Sequence, residues 1–174
     1  MAPQSVDRFE ATILPWLTDA YTLARYLLRD EHDAQDAVQD AALRAFRHFD
    51  GYRGGDARAW FLAIVRNCCM TARRRRQEDQ VTEQFSTEHV DLSRTVREAD
   101  ADAIEQSDRA AVQRVVAALP VEFREVIVLR ELQGLSYAQI SEVIGVPIGT
   151  TMSRLSRARK RIATALAVRA KEAS

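Results

Sequence analysis

Between residues 143 and 171 the chain carries no acidic side chain. Within that span Thr150, Ser153, Arg154, Arg157, Lys160 and Arg161 turn to one side of a helix. Ile148, Thr151, Leu155, Ala158, Ile162 and Leu166 recur at spacings of three and four and form an opposite, inward stripe. A helix that presents arginines, hydroxyls and a lysine on one side can enter a DNA major groove, where arginine reads guanine edges and the other cations hold phosphates. An ordinary solvated helix face mixes its signs, and this one does not. A second group lies upstream. Asp50, Gly51, Tyr52, Arg53, Gly54, Gly55 and Asp56 make a loop with an aromatic ring and an arginine among its glycines, and four consecutive arginines, Arg73 to Arg76, end a helical stretch that bears Trp60 and Phe61. Exposed rings stack on unpaired bases and clustered cations grip a nucleic-acid backbone. As adjacent residues, Trp60 and Phe61 point about a hundred degrees apart, so one is expected in the core and the other toward a ligand.

Other chemistries find no support. His32, His48 and His89 are dispersed, with no HExxH pair and no metal-ligand spacing. The glycine-rich loop lacks the order of a nucleotide phosphate loop. Cys68 and Cys69 are adjacent, which suits neither a structural disulfide nor a metal, and they are expected as buried or half-buried thiols. No catalytic residue, metal site or cofactor is predicted, and the chain is not read as an enzyme.

Helical elements must position these groups. Ser136 and Gln139 form a capping box that starts a helix, and Gly145 ends it. Pro147 is placed to open the reading helix, giving helix, short turn, helix over 135–161. Upstream, Phe9 to Leu28 carries apolar residues at helical spacing, with Pro15 tolerated, and reads as one amphipathic helix. Asp33 is expected to cap the next helix, whose packing side is Ala34, Ala37, Val38, Ala41, Ala42, Ala45 and Phe46, leaving Asp36, Gln39, Asp40 and Arg44 exposed. A helix over 56–76 is expected to end at the arginine quartet. Val112, Val115, Val116 and Leu119 then form a helix stopped by Pro120, and 122–132 forms another, closed by Gly134. No segment alternates with period two, so the fold is expected to be all-α.

The 174 residues have zero formal net charge, yet the distribution is uneven. Residues 78–108 hold ten acids against Arg94 and Arg97, a net of −8, so the flanking parts together carry +8. Association with DNA depends on local field rather than on the total. The acidic stretch also loses apolar periodicity and reads as a flexible linker between two domains. No run approaches the ~20 apolar residues that cross a bilayer. The N-terminus lacks the layout of a secretory signal, so a cytoplasmic protein with no membrane insertion of its own is expected.

The aromatic loop with its arginine-ended helix and the C-terminal helix-turn-helix together resemble the extracytoplasmic-function (ECF) group of the bacterial RNA polymerase sigma-70 family. DAQDAVQDAALRAF (33–46) is similar to the polymerase-binding helix of that family, YRGGDARAWFLAIVRN (52–67) to its promoter-melting segment, and LSYAQISEVIGVPIGTTMSRLSRARKRI (135–162) to its upstream-element reader. The resemblance implies a sigma2-like helical bundle over 1–77, the acidic linker over 78–108 and a sigma4-like helix-turn-helix domain over 109–174.

It also implies roles. Asp36, Gln39 and Asp40 would dock on the beta-prime clamp of core RNA polymerase, and the second domain would meet the beta flap. Tyr52, Arg53, Gly54, Gly55 and Asp56 match the loop that takes a flipped base of the −10 element, with Trp60, Arg66, Asn67, Arg73 and Arg74 beside it. Thr150, Met152, Ser153, Arg154, Ser156, Arg157 and Lys160 match the reader of the −35 element. Met152 stands where the family often has a cation, and Thr151 where it usually has an aliphatic residue. An anti-sigma partner is implied. A sigma-like mimic that sequesters an anti-sigma factor without binding DNA is the alternative, but it should lose the basic face and the melting loop, and both are retained. A plain helix-turn-helix regulator would leave the first domain unexplained.

Overall fold

The computed structural model describes residues 3–84 and 103–172. Most of the acidic stretch 78–108 therefore lies outside the described residues. Among those described there is no strand. The elements are α1 (Pro3–Ile13), α2 (Leu17–Leu28), α3 (Glu31–His48), α4 (Ala57–Gln84), α5 (Ala103–Ala118), α6 (Val121–Ile127), α7 (Tyr137–Ile144) and α8 (Ile148–Glu172).

Three local features depart from the sequence reading. Pro15 is not absorbed into one long helix: it lacks an N–H and sits in a 3-10 turn, Leu14–Trp16, that separates α1 from α2. Asp30, not Asp33, caps α3, and its carboxylate accepts the Asp33 amide at 2.9 Å. Arg29 just before it closes α2 with φ +62°, a left-handed conformation usually left to glycine. α4 does not stop at the arginine quartet but runs to Gln84, through good helix formers and past an Arg74–Glu78 pair at 3.8 Å.

α1 to α4 form the first group. α3 turns Ala34, Ala37, Ala41 and Ala45 inward. These small side chains let it lie close to α2 and α4, whose Leu23, Leu27, Phe61, Leu62 and Val65 are fully buried. α5 to α8 form the second group around Val126, Val128, Leu129, Leu135, Ile140 and Leu155. A five-residue π turn, Val128–Leu132, follows α6, and Gly134 then takes φ +69° to redirect the chain into α7. The two groups are packed together. α4 lies against α7 and α2 against α6, and the buried residues of both belong to one apolar cluster.

Candidate nucleic-acid interface

The helix-turn-helix is set by local chemistry. Ser136 Oγ accepts the Gln139 amide at 3.2 Å and Gln139 Oε1 accepts the Ser136 amide at 2.7 Å, so both halves of the capping box are made. Gly145 takes φ +70° at the end of α7, and the Ser141 hydroxyl donates to the Val146 carbonyl across the turn. Pro147 stands just ahead of α8, its carbonyl accepting the Thr150 amide at 2.9 Å and the Thr151 amide at 3.1 Å.

Thr151, Leu155 and Ala158 are buried as expected; Ile148, expected in the same stripe, is exposed. Its position at the first turn lies beyond the reach of the core. Met152, Ser153, Ser156, Arg157 and Lys160 share the exposed side and Thr150 is half-buried beside them. Arg161 is exposed but places its guanidinium 4.9 Å from the Phe123 ring centroid, turned back onto α6. Arg159 pairs with Glu131 at 2.6 Å. Arg154 is not free either, because it reaches Glu125.

The loop after α3 is built on an aromatic stack. Phe49 packs edge-on against Phe9 at 5.3 Å, and the Tyr52 ring stacks on Phe49 at 5.8 Å and leans on Trp60 at 5.0 Å. The Tyr52 hydroxyl donates to the Gly55 carbonyl at 2.8 Å. That bond closes the turn, which Gly54 and Gly55 make possible with φ +92° and +100°. Arg53, Gly54 and Gly55 project into solvent, while Tyr52 and Trp60 are half-buried and Phe61 is the core member of its pair. Asp56 caps α4 by accepting the Ala59 amide at 2.9 Å and also accepts the Gln139 carboxamide. Burial opposes its ionised form. The Ala59 amide, Gln139, the Arg58 amide and the Arg58 cation nevertheless hold its carboxyl below the usual carboxylate range.

The expected contacts on α4 separate into two sets. Asn67 and Arg74 are exposed. Arg66 and Arg73 point back into the protein, Arg73 donating to the Leu27 carbonyl at 3.0 Å. Arg66 meets Glu125, whose side chain is 1% exposed: Nε lies 2.9 Å and Nη2 3.4 Å from its two oxygens. Arg154 of α8 donates to the same carboxylate at 3.1 Å. One buried carboxylate thus clasps a cation from α4 and a cation from α8. Burial outweighs both arginines and pushes the Glu125 carboxyl above its ordinary pKa.

Further bonds join the two groups. Arg58 donates to Asp19 and, at 2.7 Å, to the Gln133 carbonyl, while the Gln133 carboxamide donates back to the Asp19 carbonyl at 2.6 Å. Buried Arg124 donates to the Tyr26 carbonyl at 3.0 Å and to Leu119 at 2.7 Å. Burial, then Arg29 and Arg73, push its guanidinium down to about 10. Sequence reasoning assigned no role to Glu125, Arg124, Gln133 or Arg58. For Arg124 and Glu125 the available signal was charge inside the apolar run of 121–132, where burial requires partners.

Away from this seam, Asp36, Gln39 and Asp40 stand exposed along one side of α3, with Asp40 paired to Arg44 at 2.8 Å and Asp36 3.7 Å from His32. Cys68 and Cys69 are buried free thiols, pushed by burial up to about 11 and about 12.

Comparison with known proteins gives two family matches, Sigma-70 region 2 over residues 12–78 and Sigma-70, region 4 over residues 109–162. The RNA polymerase sigma-H factor of Pseudomonas aeruginosa is 32% identical over 91% of this chain and 86% of its own length. ECF RNA polymerase sigma factor SigM of Mycobacterium tuberculosis is 37% identical over 84% and 70%. The match to ECF RNA polymerase sigma factor SigE of Mycolicibacterium smegmatis, 32% identical over 87% of this chain, spans only 59% of that protein. Among solved structures, the sigma factor RpoE from Bartonella quintana, in complex with the anti-sigma factor NepR, matches 92% of this chain and 98% of its own. The TM-score is 0.74 and the identity 26%. CnrH, in complex with the cytosolic domain of CnrY, shares the fold at TM-score 0.61 and 22% identity, over 92% of this chain and 88% of its own.

Proposed function

The chain belongs to the ECF group of the sigma-70 family of RNA polymerase sigma factors, and from that premise we propose that it is a promoter-specificity subunit of bacterial core polymerase, acting in the cytoplasm without catalysis of its own. The observation that carries this reading is α8, which exposes Ser153, Ser156, Arg157 and Lys160 on a helix without an acid between Val143 and Lys171. In this reading α8 enters the major groove of the −35 element. The Tyr52–Asp56 loop captures a base of the −10 element. Flipping a base costs a few kcal/mol, and stacking on an aromatic platform returns ~1–3 kcal/mol per base, so a loop held by Tyr52 and Trp60 is suited to keep the base out. Asn67 and Arg74 are exposed toward the adjacent backbone, Arg66 becomes available when the halves part, and Arg73 by releasing the Leu27 carbonyl within its own half. Asp36, Gln39 and Asp40 offer an acidic and amide surface to the beta-prime clamp, and the second half meets the beta flap.

The clasp at Glu125 bears on the order of events. Arg66 and Arg154 cannot hold Glu125 and DNA together, so the packed arrangement is a resting form that separates on engaging polymerase and promoter. The similar sigma factor RpoE is in complex with the anti-sigma factor NepR, and a protein partner of that class is proposed here too. A mimic that only sequesters such a partner would not need an acid-free reading helix or a glycine-closed aromatic loop. Reconstitution with purified core polymerase on a pool of promoter fragments tests the reading. Initiation at defined start sites that requires this chain supports it, and polymerase binding without initiation on any fragment supports the mimic.

A further inference from the structure

We propose that Met152, with Ile148 one turn before it, reads the C5-methyl groups of thymines in the upstream promoter element. The proposal rests on the promoter reading above and deepens it. Ile148 is 47% and Met152 51% exposed, while Thr151, Leu155 and Ala158 on the same helix are buried. Residues four apart on a helix lie one above the other, so the two side chains make a continuous apolar strip at the opening of α8. Neither carries a strong hydrogen-bonding group. Gly149 between them has no neighbouring atom within 4 Å of where a Cβ would stand, which leaves the helix backbone bare to a close-lying duplex. Beside the strip the same helix exposes Ser153, Ser156, Arg157 and Lys160, with no acid nearby in sequence.

An apolar margin on a cationic, hydroxyl-bearing helix matches one ligand in particular. In the major groove, phosphates and guanine edges take the cations, and the thymine methyl is the apolar group on offer. The flanking charge therefore argues for DNA over an apolar protein surface as the occupant of the strip. Base preference at that edge of the site then comes from methyl contact, in place of the hydrogen bonds a cation at position 152 would make.

The test uses holoenzyme assembled from core polymerase and the full chain. A preferred duplex is selected from a pool randomised in the upstream element. Each thymine of that element is then replaced singly by deoxyuridine, which removes only the methyl. Burying one methyl is worth about fourfold in affinity. The expected result is that one or two replacements weaken binding about fourfold, that Met152→Ala or Ile148→Ala abolishes this sensitivity at the contacted base, and that Met152→Leu keeps it. Insensitivity of the wild-type holoenzyme to every replacement, or undiminished sensitivity in both alanine variants, overturns the proposal while leaving promoter binding intact. Loss of core-polymerase binding by Met152→Ala, with thymine sensitivity unchanged, assigns the strip to a protein contact and also overturns it. Failure to select any preferred duplex is the separate outcome that removes the promoter reading itself.

Discussion

Arg66→Met and Glu125→Gln should have unequal effects although they break the same ion pair. The Glu125 side chain is 1% exposed, whereas Arg66 and Arg154 keep 23% and 26%. The carboxylate thus depends on its partners, while each guanidinium can turn partly to water. Removing one partner of a buried pair costs ~3–5 kcal/mol. Arg154 remains beside Glu125 in Arg66→Met, so about 2–3 kcal/mol is expected there. Glutamine at 125 keeps the shape and an acceptor oxygen and removes the buried charge, so its cost should stay under ~1 kcal/mol.

The pH dependence follows from the raised carboxyl of Glu125. A folded-state value above the unfolded one means that ionised Glu125 disfavours the packed form. Stability from this group is present below the unfolded value and declines as pH rises toward the folded one. With Arg66 gone the folded value rises further, so the deficit of Arg66→Met should shrink on acidification. Urea unfolding of the full chain at pH 8 and pH 5 measures both effects. The reasoning is refuted if Glu125→Gln destabilises as much as Arg66→Met, or if the Arg66→Met deficit grows as pH falls.

Asp40→Lys should weaken association with core polymerase while leaving the chain folded, because Asp40 is exposed and its partners are Arg44 on the same helix and the Cys68 thiol; unaltered association in a pull-down would remove the docking assignment. Thr151→Val should raise stability by about 1 kcal/mol in thermal melts, since the buried Thr151 hydroxyl has no hydrogen-bond partner among the described residues and valine keeps its shape; a loss would mean that the hydroxyl is satisfied. Cys68 and Cys69 should be alkylated at pH 8 at least about a hundredfold more slowly in the native than in the unfolded chain, as their raised values leave little thiolate. By the same sign, stability should fall as pH rises above the unfolded thiol value of 9.0.

The parts of the fold legible in the sequence are those fixed by local chemistry. The Ser136–Gln139 box, the Gly145 terminus and the alanine side of α3 each follow from residues within a few positions of one another. The capping rule points to Asp33, the acid next to the apolar run, whereas hydrogen-bond geometry places the cap three residues earlier at Asp30. Pro15 is tolerable near a first turn, but enough helix precedes it that its missing N–H breaks the run. Periodicity placed Ile148 inside because a stripe has no marker for where the core ends. Least legible was the seam. Arg66 and Glu125 are 59 residues apart and Arg58 and Gln133 75 apart, so nothing in the local pattern pairs them. The exposure of Ser153, Ser156, Arg157 and Lys160 follows from helical periodicity, but the contacts that withdraw Arg66 and Arg154 to Glu125 do not.

The central claim is that one chain grips a promoter at two points, and footprinting of the reconstituted holoenzyme on a selected promoter tests it most directly. The wild-type complex should protect the −35 and −10 elements together and make a −10 base reactive to a probe of unpaired thymine. Arg157→Ala should weaken upstream protection by ~1–3 kcal/mol in binding and relax preference at one position. Tyr52→Ala should leave upstream protection in place and lose the unpaired signal. Protection of only one element, or loss of both by either substitution alone, would contradict the two-point grip.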